Sequence, residues 1–235
     1  MIPPAVNGTL AVLKGCQLAG VRRCVITSSI AAVMEVAKAD RPADCTFNES
    51  HWSNPERPEP MIPYDKSKTL AEKAAWDFVA ALPEEEKLEL VTILPAWVMG
   101  PPLRGDLENS REWLKTLMEG TMTTIGSDRL CAVDVRDTAK AHLLGVKNAA
   151  AANRRFIICH SSPSFQEYAA PVTAKYRDLG FPITENLEAE KPDEFYALFD
   201  NSASIELGIE YTDLSKTMVD MADKMVEVGS IVRPN

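Results

Sequence analysis

Tyr64 and Lys68 stand four residues apart in the stretch IPYDKSKTLAEKAAWDF (62–78), and on a helix that spacing places them on one face. A free tyrosine releases its proton only near a pKa of about 10, too high for ready exchange at neutral pH. An ammonium beside a phenol favours the phenolate. Such a pair can give a proton to a carbonyl oxygen or take one from an alcohol. Alone, Tyr-x-x-x-Lys is more often ordinary helix surface than a site. Among the five tyrosines, only Tyr64 has a lysine four residues on.

A second hydroxyl is close at hand in sequence. In CVITSSIAAV, Ser28 and Ser29 stand at the carboxyl end of a short β-branched run at about 22–28 that predicts a strand. Open α/β sheets bind ligands beyond the carboxyl ends of their strands, so a serine there and a tyrosine on the next helix could grip one carbonyl oxygen from two sides. Turn or helix-cap serines are the alternative.

The elements that must position these groups follow from periodicity. Residues 3–19 predict a helix, opened by Pro3 and Pro4, with Val6, Leu10, Leu13 and Cys16 on its core face. A polar, proline-rich connection spans 34–60. A helix over 62–82 carries Leu70, Ala74 and Phe78 as its apolar stripe, widened by Ala75 and Trp76. LELVTILPAWV (88–98) predicts one continuous strand covered on both faces. Helices are predicted at 107–119, 135–150, 164–178, 201–207 and 213–229, with strands near 122–125 and at 154–159. Alternating strands and helices point to an α/β fold with a parallel sheet. The helical excess after residue 100 points to a smaller helical lobe.

Composition narrows the partners. The 235-residue chain is 46% hydrophobic and 25% charged with net charge −9, so phosphate backbones and anionic lipid surfaces are poor partners. No apolar run reaches membrane-spanning length, and MIPPAVNGTL lacks the layout of a secretory signal, so the cytoplasm is the expected location. Five cysteines without a C-x-x-C pair give little support to a disulfide framework or zinc site and fit small core residues in a reducing compartment. His51 and His160 are isolated, and no metal is expected.

PAVNGTLAVLKGCQLAGVRRCVITSSIAAV, NESHWSN, YDKSKTLAEKAAWDF, TILPAWVMGP and VDVRDTAKAHL, in that order, resemble the extended short-chain dehydrogenase/reductase family, in its dihydroflavonol reductase, cinnamoyl-CoA reductase and aldehyde/ketone reductase branch. The similarity is strong from residue 3 to about 160 and weaker beyond. It implies an NAD(P)H-dependent reductase of a small aldehyde, ketone or flavonoid-like carbonyl. Tyr64 would be the general acid and a cofactor contact, and Lys68 would hold the nicotinamide ribose and lower the tyrosine pKa. Ser29 would orient the carbonyl, with Ser28 as the fallback. Pro95, Ala96 and Val98 would line the nicotinamide, and Asn7 matches an asparagine of a proton relay. Asp134, Asp137 and His142 match a signature read as architectural. Trp97, Met99, Trp113 and Met118 fit either an apolar substrate wall or protein core. NADP is the implied cofactor, with NAD open.

One expected feature is missing. None of the 11 glycines forms the G-x-x-G-x-x-G or G-x-G-x-x-G loop that follows the first strand of a dinucleotide fold. The resemblance therefore implies a chain that opens after the fourth strand: a partial Rossmann-like doubly wound parallel sheet lacking its N-terminal strands. Residues 1–160 would be the remnant of the NAD(P)-binding domain, with lobe insertions from about 100–130, and 161–235 the substrate-binding lobe. Strand 22–28 would then be an exposed edge open to association with another chain. Activity would be impaired, and a non-catalytic isoform that interacts with a full-length partner is the alternative.

Overall fold

The computed structural model describes residues 1–105, 110–191 and 196–233. In chain order the elements are α1 (Ile2–Leu18), β1 (Arg23–Thr27), β2 (Thr46–Phe47), α2 (Pro63–Ala80), β3 (Glu89–Pro95), β4 (Trp97–Met99), α3 (Ser110–Met118), β5 (Ala132–Asp134), α4 (Val135–Lys147), β6 (Arg154–Ile158), α5 (Phe165–Tyr176), β7 (Leu198–Phe199), α6 (Ser202–Leu207) and α7 (Leu214–Glu227). They fall into two compact units. The first comprises Met1–Ala96, Ala139–Ile158 and Leu198–Ile209; the second comprises Trp97–Thr138, Cys159–Ala197 and Glu210–Asn235.

The first unit is built on a three-stranded parallel sheet in the order β1-β3-β6. Side chains alternate across a strand, and here both faces are used. Cys24, Ile26 and Leu90 pack with Leu13 of α1 and Ala75 of α2. Val25 and Val91 point the other way, against Gly145 of α4, where an added Cβ would stand 3.3 Å from both. Helices therefore cover both sheet faces, and every residue of β3 after the first is buried. This is the doubly wound arrangement expected from the alternation of elements. Among the described residues β1 has a strand partner on one side only.

Arg23 anchors this unit. Its side chain, 5% exposed, pairs with the Glu89 carboxylate at 2.6 Å and donates to the carbonyls of Gly145 (2.9 Å) and Asn148 (2.6 Å) at the end of α4. A cation is favoured at a helix C-terminus. Arg23→Ala is expected to lower stability by about 2–3 kcal/mol, because it leaves buried carbonyls unpaired. Urea unfolding measures the loss.

The second unit has a short parallel pair, β4 with β5, in the register Trp97↔Ala132 to Met99↔Asp134. Its core joins Leu114, Leu117 and Met118 of α3, Tyr168 and Val172 of α5, and Met218, Met221 and Met225 of α7. The Ser164 hydroxyl accepts from Glu167 N–H while the Glu167 carboxylate accepts from Ser164 N–H, a reciprocal cap that starts α5. Gly120, at φ 72°, ends the turn after α3, where a Cβ would lie 2.6 Å from the Pro182 carbonyl oxygen.

Several expectations are corrected. The strand predicted over 88–98 breaks at Ala96. Its N–H bonds to Ile158 O in the first sheet, whereas the next N–H, of Trp97, bonds to Cys131 O, so the chain changes partners there. The most buried face of α2 is Ser67, Ala71, Glu72 and Ala75; Leu70, Ala74 and Phe78 are half-buried. Small residues suit the close approach of α2 to α1. On α1 itself only Leu13 is fully buried; Val6, Leu10 and Cys16 are half-buried. Near 122–125 there is only an isolated bridge, Ile125↔Leu187. Residues 107–109 of the helix predicted at 107–119 lie outside the described residues. Cys131 and Cys159 come together within the second unit, with Cα atoms 6.3 Å apart. They lie 28 residues apart in sequence, a separation that gave no spacing signal.

Candidate active site

β1 ends at Thr27, and the chain turns sharply into a 3-10 turn, Ile30–Ala32. Ser29 is the N-cap of that turn. Its extended backbone lets its hydroxyl oxygen accept from Ala31 N–H at 3.2 Å. The helix-cap reading of this serine is therefore realised. Accepting that bond still leaves the Ser29 proton to donate. The Ser28 hydroxyl is committed elsewhere: it is buried and donates to Glu72 Oε2 at 2.5 Å.

Helix α2 opens with Pro63 in its first turn, where a missing N–H costs nothing, and Tyr64 follows directly. The Tyr64 side chain is 47% exposed, and its phenol makes no hydrogen bond among the described residues. One turn on, the Lys68 ammonium donates to the Thr27 carbonyl oxygen at 3.2 Å, tying α2 to the end of β1. Burial pushes the Lys68 pKa down, and the negative charge of Glu72 opposes the fall. Lys68, Thr27, Ser28 and Glu72 wall a cavity of about 190 Å³, closed on the α1 side by Ala5 and Thr9. Tyr64 and Ser29 are not among the residues that wall it.

The other candidates are spread along the chain. Pro95 ends β3 opposite Ile158 of β6, and Ala96 is buried beside it. Val98 belongs to the second unit, where it pairs with Val133. Asn7 is exposed on α1. Asp134 caps α4 through Arg136 N–H at 2.7 Å, and Asp137 accepts from Thr212 N–H at 2.7 Å, so both tie chain segments together. His142 Nε2 lies 2.7 Å from the Thr27 hydroxyl. His51 bonds within its own turn through Asn48 N–H. Among the described residues no three His, Cys, Asp or Glu side chains are grouped to hold a metal ion. Trp97 and Trp113 meet edge to face at 6.2 Å within an aromatic cluster with Phe165 and Tyr168, and Met99 and Met118 are fully buried core.

Sequence reading missed Glu72. It stands four residues after Lys68 and eight after Tyr64, so the same spacing that singled out the pair continues to a third polar residue. That run of three along one helix stripe was the available signal.

Residues 3–196 match the 3-beta hydroxysteroid dehydrogenase/isomerase family. The chain is 32% identical to cinnamoyl-CoA reductase CAD2 of Medicago truncatula over 97% of this chain and 68% of that protein. It is 30% identical to the NADPH-dependent methylglyoxal reductase GRE2 of Saccharomyces cerevisiae, over 97% of this chain and 71% of the relative. The crystal structure of Gre2 from Candida albicans in complex with NADPH superposes with a TM-score of 0.82 at 31% identity, covering 97% of this chain and 71% of that one. The fold and these relatives make the chain a Rossmann-like oxidoreductase. The chain belongs to the 3-beta hydroxysteroid dehydrogenase/isomerase family, among the extended short-chain dehydrogenases/reductases.

Among the described residues no helix is long and apolar enough to cross a membrane.

Proposed function

We propose that the chain reduces a small aldehyde, ketone or flavonoid-like carbonyl with NADPH. The observation that carries this reading is the bond from Lys68 to the Thr27 carbonyl at the carboxyl end of β1, with Tyr64 one turn earlier on the same helix face. Lys68 spends one of its three N–H donors there; the other two suit a ribose diol. That is the fit between these residues and the nicotinamide half of the cofactor, with Pro95 and Ala96 proposed to border the ring. When bound, NADPH supplies the hydride. Tyr64 gives its proton to the carbonyl oxygen, and Ser29 holds the same oxygen with the proton that its capping bond leaves available. The named relatives, a cinnamoyl-CoA reductase and a methylglyoxal reductase, support a carbonyl substrate.

These residues address only the nicotinamide end. No glycine triplet of the dinucleotide type occurs in the sequence, so the pyrophosphate should be gripped weakly and activity limited by cofactor capture. NADPH fluorescence titration of the chain is expected to give binding weaker than micromolar; micromolar binding overturns this part of the reading. NADPH oxidation with a panel of aldehydes and ketones at high cofactor concentration tests the activity itself, and no oxidation with any of them sinks it.

A second reading, a non-catalytic partner of another reductase chain, is supported by the open side of β1 and by exposed Val12 (60%) and Leu18 (78%) on α1. Light scattering of the chain mixed with an active reductase tests it; a chain that turns over alone as a monomer rules it out.

A further inference from the structure

The Glu72 carboxylate is 1% exposed, yet five donors converge on it. Oε1 accepts from Arg155 Nε at 2.8 Å, Thr92 Oγ1 at 2.9 Å and Trp76 Nε1 at 3.2 Å. Oε2 accepts from Ser28 Oγ at 2.5 Å and Arg155 Nη2 at 3.3 Å. Arg155 is itself fixed from three sides. It donates to Glu49 O at 2.6 Å and His51 O at 2.7 Å, and its guanidinium lies 3.7 Å from the centre of the Trp52 ring. A buried ion pair contributes little net stability compared with apolar residues of the same shape, because both charges must be stripped of water. Stability alone therefore does not account for a charge pair built with this many supports. Its location offers a better account: Glu72 follows Lys68 by one helical turn, and both wall the same cavity.

We propose that Glu72 is the positioning residue of the site: its charge, locked in place by Arg155, sustains the ammonium form of Lys68, and its bond from Ser28 fixes the strand end to which Lys68 bonds. The role in turnover rests on the reductase reading; the effect on Lys68 does not. The groups facing Lys68 can be enumerated. From β1 come the Thr27 carbonyl and Ser28, from α1 the uncharged Ala5 and Thr9, and from α2 Glu72, the one carboxylate in the cavity wall. His142 of α4 stands behind the Thr27 hydroxyl, and Arg155 of β6 behind Glu72.

The test is site-resolved acetylation of Lys68 with acetic anhydride, read by peptide mass spectrometry from neutral to alkaline pH in the folded full chain. Only the neutral amine reacts. Glu72→Gln keeps the shape and removes the charge. It should move the Lys68 midpoint down by about one pH unit and raise labelling at neutral pH roughly tenfold. Arg155→Met leaves the carboxylate without its counter-charge and should move the midpoint the opposite way. If both variants shift labelling in the same direction, the pair acts only through structure and the proposal fails; an unchanged midpoint in Glu72→Gln also overturns it. Should either single variant fail to fold, Glu72→Gln combined with Arg155→Met leaves no buried charge, and labelling not above that of the parent chain overturns the proposal. Where NADPH-dependent reduction is measurable, its pH profile should move with the labelling midpoint. Absence of reduction with the expected labelling counts against the reductase reading alone.

Discussion

Replacing Tyr64 with phenylalanine is expected to lower NADPH-dependent carbonyl reduction by about a thousandfold at saturating substrate, the scale of a lost general acid. The substitution removes one oxygen from a side chain that is already half exposed and makes no hydrogen bond within the described fold, so stability should be unaffected. The loss should fall mainly on kcat, with NADPH binding measured by fluorescence weakened far less than the rate. A variant that retains its rate would remove Tyr64 from the chemistry and leave α2 a scaffold for Lys68. Because the phenol is free of internal partners, no structural disturbance can imitate the effect.

Asp134→Ala is expected to cost about 2–3 kcal/mol in the second unit, the scale of a lost helix cap together with charge-assisted hydrogen bonds to a buried carboxylate. Asp134 is fully buried. Its Oδ1 accepts from Arg136 N–H at 2.7 Å and Arg136 Nε at 2.8 Å, and its Oδ2 from Arg136 Nη2 at 2.6 Å and Thr217 Oγ1 at 2.7 Å. The residue thus caps α4 and ties β5 to α7 within one unit. Burial pushes its pKa up, but the hydrogen bonds from Arg136 and Thr217 outweigh burial and hold it below the ordinary value. A carboxyl with a depressed folded pKa stabilises fully above its unfolded value, about 3.9, and that contribution is lost as pH falls through the lower folded value. The parent unit should therefore lose stability steeply below about pH 4. Asp134→Asn, which has no such proton equilibrium, should flatten that acid limb. Chemical unfolding followed by tryptophan fluorescence, with Trp97 and Trp113 reporting from this unit, measures both effects.

The sequence displayed its layers through period. Strand β3 is an unbroken apolar run because both sheet faces are covered, and that was legible from residues 88–95 alone. The break at Ala96 was not, since nothing in LPAWV but the proline hints that consecutive N–H groups serve different sheets. The stripe on α2 was misplaced for a related reason. Periodicity weighs large apolar residues, whereas the buried face of this helix is Ser67, Ala71, Glu72 and Ala75, chosen for closeness and for charge. Spacing found Tyr64 and Lys68, and it pointed equally to Glu72. The binary habit of reading glutamate as surface hid that residue, because its counter-ion Arg155 arrives from a strand 83 residues away. Ser28 and Ser29 are alike in sequence; only the fold separates them, spending one hydroxyl on Glu72 and the other on capping a turn.

The first unit is discontinuous in the chain. Its sheet lacks β6 until residue 158 has been made, and its last stretch, carrying β7 and α6, arrives only by residue 209. During synthesis β3 therefore waits with one hydrogen-bonding edge bare while the first segment of the second unit, Trp97–Thr138, is being translated. Distant pairing of this kind slows folding and leaves sticky intermediates. Yield on expression should be governed less by the stability of the finished molecule than by how long the nascent polypeptide is shielded, with slower translation and abundant chaperones favouring recovery.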